Sequence, residues 1–391
     1  MASALVLPSL SISLFCRPPS SPPAFSHLLK TPSPFIPSRY PNQKLHISLP
    51  IASSKGPSVA AAEAAEAFDS ESYKEEEISR ETLIWRAIKL PMYSVALIPL
   101  SVGSAAAYLQ TGLFFTRRYL VLLFSSILII VWLNLSNDVY DFDTGADKNK
   151  KESVVNIIGS RTVTLFAANT SLVLGFIGLV WASAEAGDAR SIYLLTCAIL
   201  CGYIYQCPPF RLSYQGLGEP LCLAAFGPFA TTAFYLSQSS KSGMFPLPLT
   251  GKVLSASLLV GLTTSLILFC SHFHQIDGDR AVGKMSPLVR MGSKMGSAAV
   301  KVAIMTLYLL VFAFGLSKAL PLTCIFFCAL TLPMGKVVVN YVEENHDDKI
   351  KIFMAKYYCV RLHALFGAAL TAGLVVARAV SRVHLPRLFL V

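Results

Sequence analysis

The stretch that decides the fold joins an apolar run to a cluster of acids. Residues 120–133 read LVLLFSSILIIVWL, and residues 134–147 read NLSNDVYDFDTGAD. The first half contains no charged residue and is typical of a membrane-spanning helix. The second half places four aspartates within ten residues at the end of that helix. Charge near a membrane is costly and usually serves a function, so we expect a partner that compensates these carboxylates.

The composition of the whole chain predicts a polytopic membrane protein. Of its 391 residues, 54% are hydrophobic and 14% are charged, and the mean hydropathy is +0.56. Soluble domains carry about 25% charged residues. We therefore expect an all-α membrane protein with about nine transmembrane helices arranged around a central active-site cavity. The expected spans lie near residues 85–108, 119–136, 163–184, 191–207, 217–238, 252–271, 297–317, 319–339 and 356–379.

Composition also divides the chain into segments. The first 62 residues contain no Asp or Glu but thirteen Ser and eleven Pro, which is typical of a plastid transit peptide, with an ordinary disordered tail as the alternative. We assign residues 1–55 to the transit peptide, 56–82 to an acidic linker, 83–380 to the membrane domain and 381–391 to a C-terminal tail. The protein is therefore expected in a chloroplast membrane, either the inner envelope or the thylakoid.

The distribution of basic residues predicts the orientation in the membrane. Nine spans place the loops after the second, fourth, sixth and eighth on one side, and those loops contain thirteen Lys or Arg, against six in the opposite loops. By the positive-inside rule, the more basic side faces the stroma. The formal net charge of +11 is ordinary for such a protein and indicates no nucleic-acid partner.

A second polar cluster follows the sixth span, in the same topological position as the first. It reads SHFHQIDGDRAVGK at residues 271–284. Gly145 is a natural stop for the second span, so the helix of that span can continue beyond its apolar run into the first cluster. Each cluster then has residues four apart, which share one face of a helix. These residues are Asn137, Asp138 and Asp141 in the first cluster, and Gln275 and Asp279 in the second. The doubled pattern suggests two related four-helix halves.

Both clusters offer oxygen ligands. Mg²⁺ prefers a few carboxylates together with substrate phosphate oxygens. The neighbouring basic residues would repel a bare metal ion but would attract a polyanion, so a diphosphate bridged by Mg²⁺ to both clusters satisfies both sets of charges. Hydrated, salt-bridged loops are the alternative. The basic residues are Lys148, Arg211, Arg280, Lys284 and Arg290.

At these residues the sequence resembles the UbiA-type membrane prenyltransferases, and within them the branch that prenylates 1,4-dihydroxy-2-naphthoate. The first motif reads NDVYDFDTGAD at 137–147, the NDxxDxxxGxD form typical of that branch. The second reads QIDGD at 275–279 and departs from the DxxxD form of the family at its first position. Gln275 can still offer a carbonyl oxygen, and Asp277 could compensate for the missing acid. Three further stretches match, at 88–108, 153–161 and 202–220.

The resemblance implies a Mg²⁺-dependent enzyme that transfers a phytyl group from its diphosphate to 1,4-dihydroxy-2-naphthoate, with loss of the carboxylate, in phylloquinone biosynthesis. Its partners would be the prenyl diphosphate, the naphthoate acceptor and the lipid bilayer. Homogentisate prenyltransferase and chlorophyll synthase are the nearer alternatives, although those branches usually keep the acidic DxxxD form. An ion-coupled transporter is the remote alternative, because transporters tend to hold such acids near mid-membrane on interrupted helices.

The resemblance also implies roles for individual residues. Metal binding is expected of Asn137, Asp138, Asp141, Asp147, Gln275, Asp277 and Asp279. Diphosphate or acceptor binding is expected of Lys89, Lys148, Tyr205, Arg211, Arg280 and Lys284. Catalysis is expected of Asp138, Asp141, Asp279 and His274.

Several of these residues have structural alternatives. The aromatic residues Tyr203, Tyr205, Phe210 and Tyr214 would shield a carbocation or belong to an aromatic belt at the membrane interface. His272 and His274 would act on acceptor protons or cap a helix end. Lys89 would meet the acceptor carboxylate or mark the membrane boundary. Glu219 is open between an acceptor contact and a structural hydrogen bond.

Overall fold

Apolar runs separated by short links that contain glycine or proline fold into helices. The computed structural model describes residues 90–145, 153–239 and 247–384. Its α-helices are α1 (Ser94–Thr111), α2 (Thr116–Thr144), α3 (Val154–Ile158), α4 (Arg161–Ala186), α5 (Ala189–Gln206), α6 (Gly218–Ala224), α7 (Thr232–Leu236), α8 (Gly251–Ser271), α9 (Ile276–Ala281), α10 (Pro287–Leu316), α11 (Leu322–Ala329), α12 (Leu332–Asn345) and α13 (Ala355–His384). Short 3₁₀ helices cover Leu90–Tyr93, Leu212–Gln215, Phe273–Gln275 and Lys351–Met354, and a π-helical segment covers Ala225–Thr231.

The all-α membrane architecture is confirmed, and the count of nine spans is approximate. In the described part of the chain, six helices are long and apolar enough to cross a membrane, and a seventh candidate is the pair α11 and α12, which bends by 47°. The predicted spans near 191–207 and 217–238 correspond to α5 and to the run from α6 to α7. These two are helical but do not meet the same criteria of length and apolarity.

The second helix extends beyond its apolar run, and the extension carries the first acidic motif. α2 ends at Thr144, and Gly145 follows with a φ of 83°, a left-handed conformation that glycine adopts without strain. The predicted stop at Gly145 is therefore confirmed. Close to this end, Asp143 accepts two hydrogen bonds from Arg161, at 2.6 and 2.7 Å. This pair ties the end of α2 to the start of α4.

A proline produces an irregular turn in the middle of the fifth predicted span. Pro228 has no backbone N–H to donate, and the residues around it form the π-helical segment between α6 and α7. On this segment, a Cβ added to Gly227 would lie 2.6 Å from the carbonyl oxygen of Ser257 on α8. Only glycine permits this approach, which brings the π-helical segment against α8.

The core lies along α1, α8 and α13, where Val102, Leu259 and Phe366 are fully buried. On the outside, large apolar side chains such as Phe124 and Phe166 are more than half exposed, as expected of a surface that faces lipid. The predicted transit peptide and acidic linker lie outside the described residues, as does the C-terminal tail beyond the end of α13.

Candidate active site

A cavity of about 340 Å³ lies between α1, α2, α5, α8 and the start of α13. On α2, the lining side chains run from Ser126 to Asp141, which corresponds to about 22 Å at the helical rise of 1.5 Å per residue. Asn137 and Asp141 lie at a polar end. At the other end the lining is apolar and includes Leu179 and Phe234. The cavity therefore joins a charged mouth to an apolar interior.

On the first motif, Asn137 and Asp141 line the cavity and Asp138 does not. Asn137 Nδ2 donates a hydrogen bond to Asp141 Oδ2 at 2.8 Å. Asp138 is only 1% exposed, and its Oδ2 accepts a hydrogen bond from the backbone N–H of Val154 at 3.0 Å. Neighbouring residues on a helix point about 100° apart, so the expected common face holds for Asn137 and Asp141, whereas Asp138 fixes the chain that leads into α3.

On the second motif, Asp279 and Lys284 form a buried ion pair. Lys284 Nζ lies 3.4 Å from Asp279 Oδ1, and the Lys284 backbone N–H donates to the Asp279 carbonyl oxygen at 2.8 Å. The other carboxylate oxygen, Asp279 Oδ2, is buried without a hydrogen-bond partner among the described residues. Asp279 also lies within electrostatic range of Asp141. A buried, unsatisfied oxygen that a second carboxylate repels is an arrangement that a cation would stabilise.

Two predicted site residues of the second motif lie on the solvent-exposed side of α9. Asp277 forms an ion pair with Lys349 and lies 4.0 Å from Arg280, and the side chains of Asp277 and Arg280 are more than half exposed. Residues two apart on a helix do not share a face, so the side chain of Asp277 points away from that of Asp279. The structure therefore does not bring Asp277 and Arg280 to the site, whereas Gln275 lines the cavity as expected.

The loop after α5 brings two further predicted residues to the polar end. The hydroxyl groups of Tyr214 and Thr144 share a hydrogen bond of 2.8 Å, and Lys284 Nζ lies 5.9 Å from the centre of the Tyr214 ring. Burial raises the pKa of Tyr214 above its ordinary value of 10.0. Arg211 has a φ of 42°, and its buried Nε has no hydrogen-bond partner in the described part of the chain. Strain of this kind persists at binding sites, and an unfilled guanidinium donor suits an anion.

Arg290, which sequence reasoning grouped with the polyanion-binding cations, supports this loop. Its Nε donates to the carbonyl oxygen of Met285 at 3.1 Å, and its Nη2 donates to that of Gln215 at 2.8 Å. The Met285 backbone N–H in turn donates to the Tyr214 carbonyl oxygen at 2.9 Å. Arg290 therefore holds the loop of Tyr214 against the segment of Lys284.

Tyr205 and His272 form part of the wall between the two motifs. Tyr205 lines the cavity and lies within electrostatic range of the acids on both motifs. His272 Nδ1 lies 3.2 Å from Glu219 Oε1, and His272 is 3% exposed. For Glu219, whose role the sequence left open, the structure shows a hydrogen bond that orients the imidazole of His272.

Four cavity-lining side chains form what we call the aromatic recess: His274, Phe353, Lys356 and Tyr357. The ring of His274 stands edge-on to that of Phe353, with centroids 4.9 Å apart. Lys356 Nζ lies 3.8 Å from the centre of the Phe353 ring and 5.3 Å from that of Tyr357. The recess thus combines aromatic walls with one ammonium group.

The oxygen atoms at the polar end fit a metal site that a substrate completes. Within the described ranges, no group of three or more His, Cys, Asp or Glu side chains could hold a metal ion. Asp141 and Asp279, with the side-chain carbonyl oxygens of Asn137 and Gln275, offer only oxygen ligands. Mg²⁺ prefers such ligands and usually takes the remainder from water and substrate phosphate. The residues therefore fit Mg²⁺ if a phosphate supplies further ligands.

Three predicted site residues, Lys89, Asp147 and Lys148, lie outside the described residues. Conversely, sequence reasoning missed Phe353, Lys356 and Tyr357, because they are far from both motifs in the chain and only the fold brings them beside His274. One signal was available. The segment FMAKYY at 353–358 places a lysine among aromatic residues at the start of an apolar span.

Comparison with known proteins gives a family match, two named relatives and a solved structure. Residues 96–360 match the UbiA prenyltransferase family. An Arabidopsis thaliana protein named "2-carboxy-1,4-naphthoquinone phytyltransferase, chloroplastic" is 70% identical over 306 residues, which are 78% of this chain and 80% of that protein. A Synechocystis sp. protein named "2-carboxy-1,4-naphthoquinone phytyltransferase" is 42% identical over 287 residues, 73% of this chain and 91% of that protein. The solved structure of a UbiA homolog from Archaeoglobus fulgidus aligns with a TM-score of 0.47 at 15% identity, over 75% of this chain and 100% of that one.

Proposed function

This chain belongs to the UbiA prenyltransferase family, and we propose that it transfers a phytyl group from phytyl diphosphate to 1,4-dihydroxy-2-naphthoate, the reduced form of 2-carboxy-1,4-naphthoquinone. The names of the Arabidopsis thaliana and Synechocystis sp. relatives support both substrates. Loss of the carboxylate would give the phytylated naphthoquinol on the route to phylloquinone. The name of the Arabidopsis thaliana relative and the apolar helices support a chloroplast membrane, and we infer that the charged mouth faces the stroma.

One observation carries the proposal: a single cavity joins buried charged groups at one end to an apolar interior at the other. A prenyl diphosphate has the same division, with a charged head and a long hydrocarbon chain. Burying that chain among apolar side chains is favourable, and the lining of α2 extends over about 22 Å. The diphosphate would then lie between the two motifs.

We assign the diphosphate contacts to Lys284 and Arg211. Lys284 pairs with Asp279, and the buried Nε of Arg211 has no hydrogen-bond partner among the described residues. Asp141, Asp279, Asn137 and Gln275 would hold Mg²⁺, with Asp138 fixing the adjoining chain, and this ion would stabilise negative charge on the leaving diphosphate. Lys89, Asp147 and Lys148 remain predictions. Asp277 and Arg280 are left out because they face solvent on the other side of α9.

The reaction begins when the bond between C1 of the phytyl chain and the diphosphate oxygen breaks, with both electrons remaining on oxygen. The resulting allylic cation lies near the π face of Tyr205, which stabilises positive charge. A hydroquinone ring is electron-rich and a quinone ring is electron-poor, so the reduced acceptor is the form that attacks. A carbon–carbon bond forms at the ring carbon that bears the carboxylate.

That ring carbon then loses its carboxylate as CO2, and the electron pair of the broken bond returns to the ring. We assign the proton transfer to His274, which lies in the aromatic recess. It takes the proton of the neighbouring hydroxyl group during the attack, which increases the electron density of the ring, and returns it after CO2 has left.

An acceptor panel tests the function. Purified full-length protein in detergent is incubated with Mg²⁺, phytyl diphosphate and one of three acceptors: 1,4-dihydroxy-2-naphthoate, homogentisate or chlorophyllide. We expect a phytylated naphthoquinol, identified by mass spectrometry, with one CO2 released per product and a rate at least about 100-fold lower for Asp141→Asn. A product only with homogentisate or chlorophyllide would place the protein in another branch. Absence of any prenylated product would refute the proposal.

A further inference from the structure

We propose that the aromatic recess is the acceptor site and that Lys356 recognises the carboxylate on the acceptor ring. The inference rests on the proposed function, because it locates the second substrate of that reaction. It adds a specificity-determining residue that neither motif contains. Lys356 lies at the start of α13, on a different part of the chain from the acids and cations of the two motifs.

The walls of the recess suit a flat ring. His274 and Phe353 pack edge-to-face with centroids 4.9 Å apart, and Phe353 and Tyr357 pack at 5.8 Å with their planes 59° apart. Aromatic rings prefer such tilted and edge-on contacts, which leave ring edges and faces available to a further aromatic group. Lys356 Nζ stands 3.8 Å from the centre of the Phe353 ring, so its charge is held beside these walls.

The cavity has two separate positive groups, one for the diphosphate of the donor and one for the carboxylate of the acceptor. Among the described cavity-lining residues, two lysines, Lys284 and Lys356, face one carboxylate, Asp141. Lys284 lies next to Asp279 and the Tyr214 ring, at the end that we assign to the diphosphate. A diphosphate needs several cations and a metal ion, whereas one ammonium group between aromatic rings suits a single carboxylate.

A carboxylate contact would give selectivity that ring shape alone cannot supply. A contact with a polar substrate group favours substrates that carry the group over analogues that lack it. A naphthol without a carboxylate would still meet the aromatic walls but would not gain a charge-assisted contact with the Lys356 ammonium group. The chemical class that the recess recognises is therefore a carboxylated bicyclic aromatic.

A binding experiment tests this without turnover. Purified wild-type protein, Lys356→Met and Lys351→Met are titrated with 1-hydroxy-2-naphthoate and with 1-naphthol, and ligand fluorescence reports binding. Lys351 is the matched control, since its side chain is 67% exposed and pairs with Asp348 at 3.2 Å. Lys356→Met should bind the naphthoate about tenfold more weakly or worse, the loss expected for a charge-assisted hydrogen bond. Its affinity for 1-naphthol and both affinities of Lys351→Met should stay unchanged.

Kinetics provide a second measurement. Lys356→Met should raise the KM for 1,4-dihydroxy-2-naphthoate and leave the KM for phytyl diphosphate unchanged, and Lys356→Arg should retain part of the wild-type affinity. The inference would be overturned if Lys356→Met bound naphthoate and naphthol equally more weakly, or if it changed only the KM for phytyl diphosphate. If Lys356→Met does not fold, the folded Lys356→Arg and Phe353→Leu variants decide. Lys356→Arg must change the ratio of the affinities for 1-hydroxy-2-naphthoate and 1-naphthol. Phe353→Leu must weaken the binding of both ligands.

The two proposals fail in different ways. Turnover of the naphthoate with normal binding by Lys356→Met would leave the function standing and refute the recess as the acceptor site. Charge-dependent naphthoate binding without any prenylated product would leave the recess standing and refute the reaction.

Discussion

Lys284 Nζ lies 3.4 Å from Asp279 Oδ1, and the two side chains are only 8% and 6% exposed. Removing one partner of a buried ion pair costs about 3–5 kcal/mol, because the remaining charge is left uncompensated, whereas replacing both partners costs much less. The pair also closes the loop that ends at Lys284 through a backbone hydrogen bond. Folding stability and diphosphate binding are therefore linked at this point.

Lys284→Met should lower both the Tm in detergent and the affinity for phytyl diphosphate. The double variant Asp279→Asn/Lys284→Met should recover much of the lost stability, since no buried charge is then unpaired, but it should remain inactive. Thermal unfolding measures the stability, and titration with phytyl diphosphate in the absence of the acceptor measures the affinity without turnover. A double variant that also regained its affinity for phytyl diphosphate would argue against a diphosphate contact at Lys284.

The two buried acids of the first motif should behave differently. Asp141→Asn should reduce kcat by about 100-fold or more, because it removes charge that stabilises the reacting groups, and it should raise the Mg²⁺ concentration needed for half-maximal rate. Asp138→Asn should mainly lower the Tm, since the hydrogen bond from the Val154 N–H is then no longer charge-assisted, a loss of about 1 kcal/mol. Mg²⁺ titrations of both variants check this. The same shift in Mg²⁺ demand for both would assign Asp138 to the metal site.

Alkaline pH should weaken the loop of Tyr214. Burial raises the pKa of this phenol above 10.0, so above that pH the unfolded chain releases the proton while the folded loop retains it. The folded state then binds more protons, and its stability falls as the pH rises. The Tm should therefore drop between about pH 9 and about pH 11 by more in the wild type than in Tyr214→Phe. Identical drops would show that Tyr214 does not contribute.

The two cavity histidines can be separated by kinetics. His274→Gln should lower kcat by about 100-fold or more, as expected on loss of a general base, with a smaller effect on the KM of phytyl diphosphate. His272→Gln should change kcat less than His274→Gln does, because His272 forms part of the cavity wall together with Glu219. If instead His272→Gln and Glu219→Gln both lowered kcat strongly and His274→Gln did not, the proton transfer would be assigned to the His272–Glu219 pair.

The close approach at Gly227 should tolerate no side chain. A Cβ there would lie 2.6 Å from a backbone oxygen of α8, so Gly227→Ala must shift the π-helical segment, at about 1–3 kcal/mol. Gly251→Ala, where an added Cβ meets nothing within 4 Å, is the control. Thermal unfolding in detergent should show a loss only for Gly227→Ala. An unchanged Tm would mean that the segment can move freely.

Local rules explain what the sequence could predict. Apolar runs located the helices, Gly145 located the end of α2, and spacing by four placed Asn137 with Asp141. Spacing alone could not show that Asp138, which also lies three residues before Asp141, accepts a hydrogen bond from the backbone N–H of Val154. Asp277 was also mispositioned, since the 3₁₀ turn at Phe273–Gln275 and the start of α9 set its direction, and these depend on packing.

The remaining differences are tertiary. Lys356 joins His274 only because the 3₁₀ turn before α13 packs against the turn after α8, and no local pattern encodes that contact. The span count differs for another reason. The π-helical segment at Pro228 divides the run from α6 to α7 into short helices, and α5 has Arg190 and Gln206 near its ends, which lower its hydropathy.

The division of the cavity into a charged mouth and an apolar interior has a consequence for how the reaction ends. Two products of the proposed chemistry favour different phases: diphosphate favours water, whereas the phytylated ring favours hydrocarbon. Once the diphosphate is in water and the phytylated ring is in lipid, the two do not meet again at useful concentrations. The membrane would thereby make the transfer practically irreversible, and the quinol would be released directly into the lipid in which later steps must find it.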